Sequence, residues 1–221
     1  MSAVLFDLDG TLMDTPPIIV ESLGAMLEGW KPVGADELRP HIGRPLDAIV
    51  ADLLPDATAG EAARAKARFR EHFATATRDR AAELVVPQVP EILRALRRGG
   101  TRIAIVTSKI TASANELLTA AGILDQFDVV IGTDLAPVGK PAPDLALLAA
   151  TRLEQSPSGC VVVGDSIDDV GMGRHAGMKT VGVTWGVGDE AALRTAGASA
   201  CVSRPDDLGA VLLGFLERGA A

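Results

Sequence analysis

The chain has 221 residues, 48% hydrophobic and 23% charged, the balance of a soluble globular protein with room for one core and one extra module. Its formal charge of −8 repels polyphosphate backbones and excludes nucleic acid as a main partner, although one local pocket can still reverse the mean field for a small anion. Two cysteines, Cys160 and Cys201, build neither a disulfide scaffold nor a CxxC zinc site and read as small buried residues; no apolar run reaches the ~18 residues of a bilayer span, and the early acids Asp7 and Asp9 do not suit a signal peptide, so a cytoplasmic protein without a membrane partner is expected.

The first predicted strand, 3–6, runs directly into Phe6-Asp7-Leu8-Asp9-Gly10-Thr11-Leu12. From about 15 to 86 no strand pattern is convincing. Helices are predicted there over 17–29, 45–54 and 59–80, the last with Phe69 and Phe73 four residues apart. Trp30 is expected in the core of this helical part. Pro16-Pro17 and Val86-Pro87 read as stiff hinges on its two sides. From 87 onward, helices at 89–98, 112–121, 143–153, 168–176, 189–196 and 206–217 alternate with strands at 102–107, 128–131, 160–164, 180–183 and 199–202. The strands are continuous Val- and Ile-rich runs, as parallel strands buried on both faces should be. Gly99-Gly100 and Gly122 suit helix ends, and Asp189 and Asp206 suit N-caps. The expected fold is α/β: a doubly wound, Rossmann-like parallel sheet formed by 1–14 and 87–221, with an inserted helical domain over 15–86.

Four segments carry the chemistry. Asp7 and Asp9 follow the first buried strand, where open α/β sheets bind ligands. One carboxylate there can act as a nucleophile and the other can give and take a proton, with Gly10 allowing the turn that aims both. Val106-Thr107-Ser108 ends the next core strand with two hydroxyls suited to a phosphate oxygen or to a helix N-cap. Gly139-Lys140-Pro141-Ala142-Pro143-Asp144 holds a lysine in a proline-stiffened loop; a surface lysine is the plainer alternative. Val161-Val162-Val163-Gly164-Asp165-Ser166-Ile167-Asp168-Asp169 is a second buried strand ending in acids. Carboxylates crowded at one sheet end suit an oxygen-liganded Mg²⁺ and would repel one another without a cation.

In this order the four segments resemble the haloacid dehalogenase-like hydrolase superfamily, over essentially the whole chain, and most closely its phosphoglycolate phosphatase-like branch with a helical cap. The resemblance implies that Asp7 attacks phosphorus and becomes an aspartyl-phosphate, while Asp9 protonates the leaving oxygen and then activates water. Thr107 and the Ser108 amide would hold phosphoryl oxygens, and Lys140 would neutralise charge. Asp7, Asp165, Asp169 and the Asp9 carbonyl would hold Mg²⁺, with Asp168 the alternative to Asp169. An acid at position 9 points away from the dehalogenases and phosphonatases of the superfamily and toward phosphate esters or anhydrides.

In the cap, His41-Ile42-Gly43-Arg44-Pro45-Leu46 resembles a loop that presses toward the site in this branch, and Arg44 is a candidate for substrate binding against the plainer reading of a solvated arginine. Arg70 and His72 either face the cleft or form a polar helix face. Trp185, in Thr184-Trp185-Gly186, either closes a wall of the site or packs under a loop. Lys109 is either near the phosphate or a surface lysine, His175 is expected at a helix end, and Arg94, Arg97 and Arg98 are expected on a solvated helix face. The leading expectation is a Mg²⁺-dependent phosphatase for a small phosphorylated metabolite, foremost phosphoglycolate, acting as a monomer or homodimer. Pyrophosphate, nucleoside monophosphates and sugar phosphates stay open, as does a sugar-phosphate mutase. A non-catalytic binding protein would be expected to lack one of the acids or the lysine, and a dinucleotide-binding protein would need a GxGxxG after the first strand.

Overall fold

The structure, a computed structural model, describes residues 2–30 and 32–218. In chain order the elements are β1 (Ala3–Phe6), α1 (Pro16–Leu27), α2 (Ala35–Leu38), α3 (Leu46–Leu53), α4 (Ala59–Thr77), α5 (Val89–Arg98), β2 (Arg102–Val106), α6 (Thr111–Ala120), β3 (Val129–Ile131), α7 (Asp144–Arg152), β4 (Cys160–Gly164), α8 (Ile167–His175), β5 (Lys179–Val183), α9 (Glu190–Ala196), β6 (Ala200–Val202) and α10 (Pro205–Arg218). The six strands form one parallel sheet in the order β3-β2-β1-β4-β5-β6. From β1 the chain winds outward through β2 and β3, then returns to β4 on the other side of β1. The direction of winding therefore reverses between β1 and β4, and the crevice beyond their carboxyl ends is where such sheets place ligands.

Side chains alternate across the sheet with a period of two. Val4, Phe6, Ile103, Ile105, Val161 and Val163 face one apolar layer, which α5, α6 and α10 cover with Leu93, Leu118 and Leu212. Ala3, Leu5, Ala104, Val106, Cys160 and Val162 face the other, covered by α7 and α8 with Leu145, Ala149 and Met172. Both faces being buried explains why the strands read as unbroken apolar runs.

The helical insertion packs α1 against α4, and its apolar residues Leu23, Met26 and Phe73 join the same cluster as Phe6 and Leu8. The two chain crossings between insertion and sheet lie side by side: the Asp14 N–H donates to the Leu84 carbonyl at 2.7 Å and the Val86 N–H to the Leu12 carbonyl at 2.9 Å. The short helix α2 was not expected; Pro32, Gly34 and Pro40 surround it, leaving too little sequence for a helical period. Helix α4 ends at Thr77, earlier than the expected 80, and Ala81–Leu84 form a 3-10 turn. Asp189 caps α9 as expected, accepting from the Ala192 N–H, whereas α10 begins at Pro205 and so places Asp206 inside its first turn. Proline's fixed φ suits that first helical position. Trp30 does not enter the core: it lies past the end of α1, is 38% exposed, and carries the Arg68 guanidinium 5.8 Å over its ring. Cys160 is buried, Cys201 is half-buried, and both are free thiols.

Candidate active site

The site grows from two neighbouring strand ends. Asp7 follows β1, its N–H donating to the Val163 carbonyl of β4 at 2.9 Å. Asp165 follows β4, and Asp169 lies in the first turn of α8. The carboxylates of Asp7, Asp165 and Asp169 are buried and offer oxygens that all lie within 4.8 Å of one another. Lys140 reaches this cluster from the loop before α7, with its Nζ 2.6 Å from Asp7 Oδ1 and 2.6 Å from Asp169 Oδ1. Its side chain is only 3% exposed. The lysine is therefore a buried bridge between two acids and not a surface residue. The His175 ring, at the end of α8, is 2.9 Å from the Pro141 carbonyl and supports the Lys140 loop.

The local sequence explains which acid turns inward. Ser166 caps α8: its hydroxyl accepts from the Asp169 N–H, and Asp169 Oδ2 accepts from the Ser166 N–H and hydroxyl. This reciprocal capping box fixes Asp169 in the buried position. Asp168, one residue earlier, stays half-buried outside the cluster. Asp165 is held by Thr11, whose hydroxyl donates at 3.0 Å, and by the Val187 N–H at 2.8 Å. Two glycines make room for it. Gly10 has φ +77°, and a Cβ at Gly10 or at Gly186 would collide with the Asp165 carboxylate. Trp185 lies beneath this turn, its indole N–H donating to the Thr11 carbonyl at 3.1 Å. It packs under a loop.

Electrostatics follow from this crowding. Burial pushes the Asp7 carboxyl well above its usual range; Lys140 opposes that, while Asp169, Asp165 and Asp9 add to it. Asp165 is pushed up to about 7, by burial first and Asp169 second. Burial alone would lower the Lys140 ammonium, but Asp169 and Asp7 outweigh it and hold the pKa above the usual lysine value. Asp168 is raised by partial burial and by Asp169, with Lys140 and Arg44 acting the other way. Three acids thus face one resident cation. An all-oxygen donor set of this kind, with glycines clearing the space around Asp165, fits a hard divalent ion such as Mg²⁺.

Asp9 stands apart from the three-carboxylate cluster. Its Oδ1 accepts from the Thr15 hydroxyl at 2.5 Å, and its Oδ2 is 3.0 Å from Lys109 Nζ. That ammonium is only 12% exposed at its side chain and also lies 4.0 Å over the ring of Phe73 from α4. Thr107 is buried at the end of β2 and its hydroxyl accepts from the Lys109 N–H. The Ser108 hydroxyl is shielded from solvent and has no hydrogen-bond partner among the described residues, leaving a polar atom ready for a ligand. Neither Thr107 nor Ser108 is the cap of α6, which is preceded by Ile110.

The candidates from the insertion are placed differently. Arg44 Nη1 pairs with Asp52 Oδ2 at 2.6 Å and contacts His41 Nδ1 at 3.1 Å. Its loop reaches the Lys140 loop, since a Cβ at Gly139 would lie 3.7 Å from Pro45. His72 turns away from the cleft and bonds the Ser22 hydroxyl of α1 at 3.0 Å. Arg70 is exposed and lines the cleft between insertion and sheet. Local pattern does not single out Thr11 or Thr15, and it leaves Lys109 open between a site residue and a surface lysine. The two threonines follow the first acidic pair closely, but only the fold shows which acid each one holds.

Comparisons with known proteins place the chain in a family. A model of the haloacid dehalogenase-like hydrolase family matches residues 4–183. A relative from Dickeya dadantii named "Probable phosphatase IndB" is 38% identical over 187 residues, covering 83% of this chain and 81% of that one. A phosphoglycolate phosphatase from Nitrosospira multiformis is 36% identical over 194 residues, 84% of each chain. Among solved structures, a hydrolase from Pseudomonas syringae superposes with a TM-score of 0.84 at 26% identity, over 97% of this chain and 99% of the other. The parallel sheet, the acids at its switch point and these matches agree, and the chain belongs to the haloacid dehalogenase-like hydrolase family, in its phosphatase-like branch.

Proposed function

We propose that the protein is a Mg²⁺-dependent phosphatase that hydrolyses a small phosphorylated metabolite through an aspartyl-phosphate on Asp7. One observation carries this reading: Lys140 bridges Asp7 and Asp169 while Asp165 completes a carboxylate cluster, and Asp9 stands two residues beyond Asp7 on its own hydrogen bonds. Phosphoryl transfer needs an aligned nucleophile and positive charge around the equatorial oxygens. Asp7, Asp165 and Asp169 would hold Mg²⁺, which supplies charge neutralisation on the transferring group. Asp7 attacks phosphorus, and Lys140 orients its carboxylate and opposes the burial that favours its protonated form. Thr107 and Ser108 receive phosphoryl oxygens, the orphaned Ser108 hydroxyl giving one donor. Asp9 protonates the departing alcohol oxygen, so that the P–O bond breaks as the Asp7–phosphorus bond forms. It then takes a proton from water as that water attacks phosphorus, releasing phosphate and restoring Asp7. Thr15 and Lys109 set the orientation of Asp9. Residues 15–86 act as the cap that excludes bulk water and chooses the substrate.

Phosphoglycolate is the reference substrate, because relatives such as the Nitrosospira protein carry that name. Phosphate release from a panel of phosphomonoesters is expected with Mg²⁺ and not with EDTA. Asp7→Asn is expected to lower turnover by at least about a thousandfold with its melting temperature maintained. Retained turnover in that variant removes Asp7 as nucleophile, and turnover in EDTA removes the metal.

A further inference from the structure

A cavity of about 560 Å³ lies between α4 of the insertion and the start of α6. Ser108 and Lys109 line it from the sheet side, and Phe69, Phe73, Arg70 and Arg78 from or just beyond α4. We propose that this cavity receives the leaving group, and that the leaving group carries a planar, largely apolar ring bearing hydrogen-bond acceptors. The preferred substrate is then a ring-bearing phosphomonoester and not phosphoglycolate. This rests on the phosphatase reading given above.

Position is the first reason. The acid that protonates the departing oxygen is Asp9, so the leaving group departs on the Asp9 side. Lys109 is 3.0 Å from Asp9 and is itself a wall of the cavity, which begins one side chain from the acid. Size is the second. Pockets of about 300–1,000 Å³ hold drug-sized ligands, and one water occupies about 30 Å³. Glycolate, with a handful of heavy atoms, would leave most of this space as water against phenylalanine. Surface chemistry is the third. Phe69 and Phe73 stack with centroids 6.1 Å apart and planes 13° from parallel. Lys109 already covers a face of Phe73, whereas Phe69 is half-buried and lines the cavity. Planar rings stack favourably on such a surface. The Arg70 and Arg78 side chains are exposed and make no ion pair or hydrogen bond among the described residues. Of the two acids on the cavity wall, Asp47 is tied to Lys66 at 2.5 Å, leaving Glu116 as the other. The free donors outnumber the free acceptors, which favours carbonyl or carboxylate substituents on the ligand.

The test compares kcat/KM for phosphoglycolate, a pyrimidine nucleoside 5′-monophosphate and pyridoxal 5′-phosphate, with Mg²⁺. At least one ring-bearing ester is expected to exceed phosphoglycolate by about tenfold or more. The ratio of ring ester to phosphoglycolate should fall about tenfold in Phe69→Ala and fall also in Arg70→Ser, an exposed position where folding is not at stake. Preference for phosphoglycolate in the wild type, or a ratio unchanged in both folded variants, overturns the proposal and leaves the phosphatase reading standing. Hydrolysis of none of the three, and of no other phosphomonoester of the wider panel, overturns the phosphatase reading. In that case titration of the phosphate-free nucleoside into the wild-type protein decides about the cavity: saturable binding weakened by Phe69→Ala supports a ring site, and no binding overturns it.

Discussion

The carboxyl end of the sheet and the cleft beneath the insertion are built on opposite terms. At the sheet end, Asp7, Asp165, Asp169 and Lys140 are buried, and each oxygen named above has a fixed donor or ammonium beside it. In the cleft, Arg70 and Arg78 are exposed and unpaired among the described residues, and Phe69 is half open. Dense, mutually bonded groups hold a reaction geometry, because moving one leaves others buried and unpaired. Exposed long side chains on helices can be exchanged at little structural cost. In the function proposed here, chemistry is anchored where the fold is least tolerant, and selectivity is assigned to the part that is most tolerant.

The contrast makes graded predictions. The largest stability effect belongs to Lys140. Lys140→Met leaves Asp7 and Asp169 without their buried counter-charge, and urea unfolding should show a loss of about 3–5 kcal/mol in metal-free protein, together with loss of turnover. A loss below about 1 kcal/mol, the range of exposed pairs, would show that the bridge is not the keystone of the cluster.

Next comes the response to pH and metal. The Asp165 carboxyl lies near 3.8 in the unfolded chain and at about 7 in the folded one, so the folded state binds more protons between these values. Stability attributable to this group is therefore present below pH ~4 and lost as pH rises through about 7. The melting temperature of EDTA-treated protein should fall across that window, and less so in Asp165→Asn. Mg²⁺ should raise the melting temperature more at pH 8 than at pH 5, since it binds the ionised acids. An equal rise at both pH values would contradict the cluster as the metal site.

Smaller effects are expected at the links between the two regions. Lys109→Met removes the ammonium that touches both Asp9 and Phe73, and kcat should fall about tenfold, within the range of positioned acid–base groups. A change confined to KM would instead assign Lys109 to substrate binding. The smallest effect belongs to Arg44. Its pair with Asp52 is a third to half exposed, so Arg44→Ala should change stability by less than about 1 kcal/mol and leave kcat within twofold. A large drop in kcat would show that Arg44 leaves Asp52 to meet the substrate.

Much of this was legible in the residues. Strands β1 and β4 are unbroken apolar runs that end in acids, and a doubly wound sheet brings such ends together at its switch point, so Asp7, Asp9 and Asp165 were recognisable from spacing. Which of Asp168 and Asp169 turns inward was also written there, as Ser166 followed three residues later by Asp169, the pattern of a capping box. What local pattern did not show are contacts between distant segments. Thr11 meets Asp165 across 154 positions, and Lys109 meets Phe73 from another element of the fold. His72, beside two phenylalanines, reads either as a cleft residue or as part of a polar helix face, and the packing of α1 on α4 supplies Ser22 as its partner. Trp30 looked like core by its size, but the turn after α1 carried it past the buried stripe.

The proposed mechanism requires that Asp7 becomes phosphorylated during turnover. Rapid acid quench of the wild-type enzyme during hydrolysis, followed by mass spectrometry of the peptide that contains residues 3–12, tests it directly. A phosphorylated peptide with the group on Asp7 is expected, accumulating further in Asp9→Asn, where water is no longer activated. Turnover at full rate with no phosphorylated peptide, or with the phosphate on another residue, would contradict it.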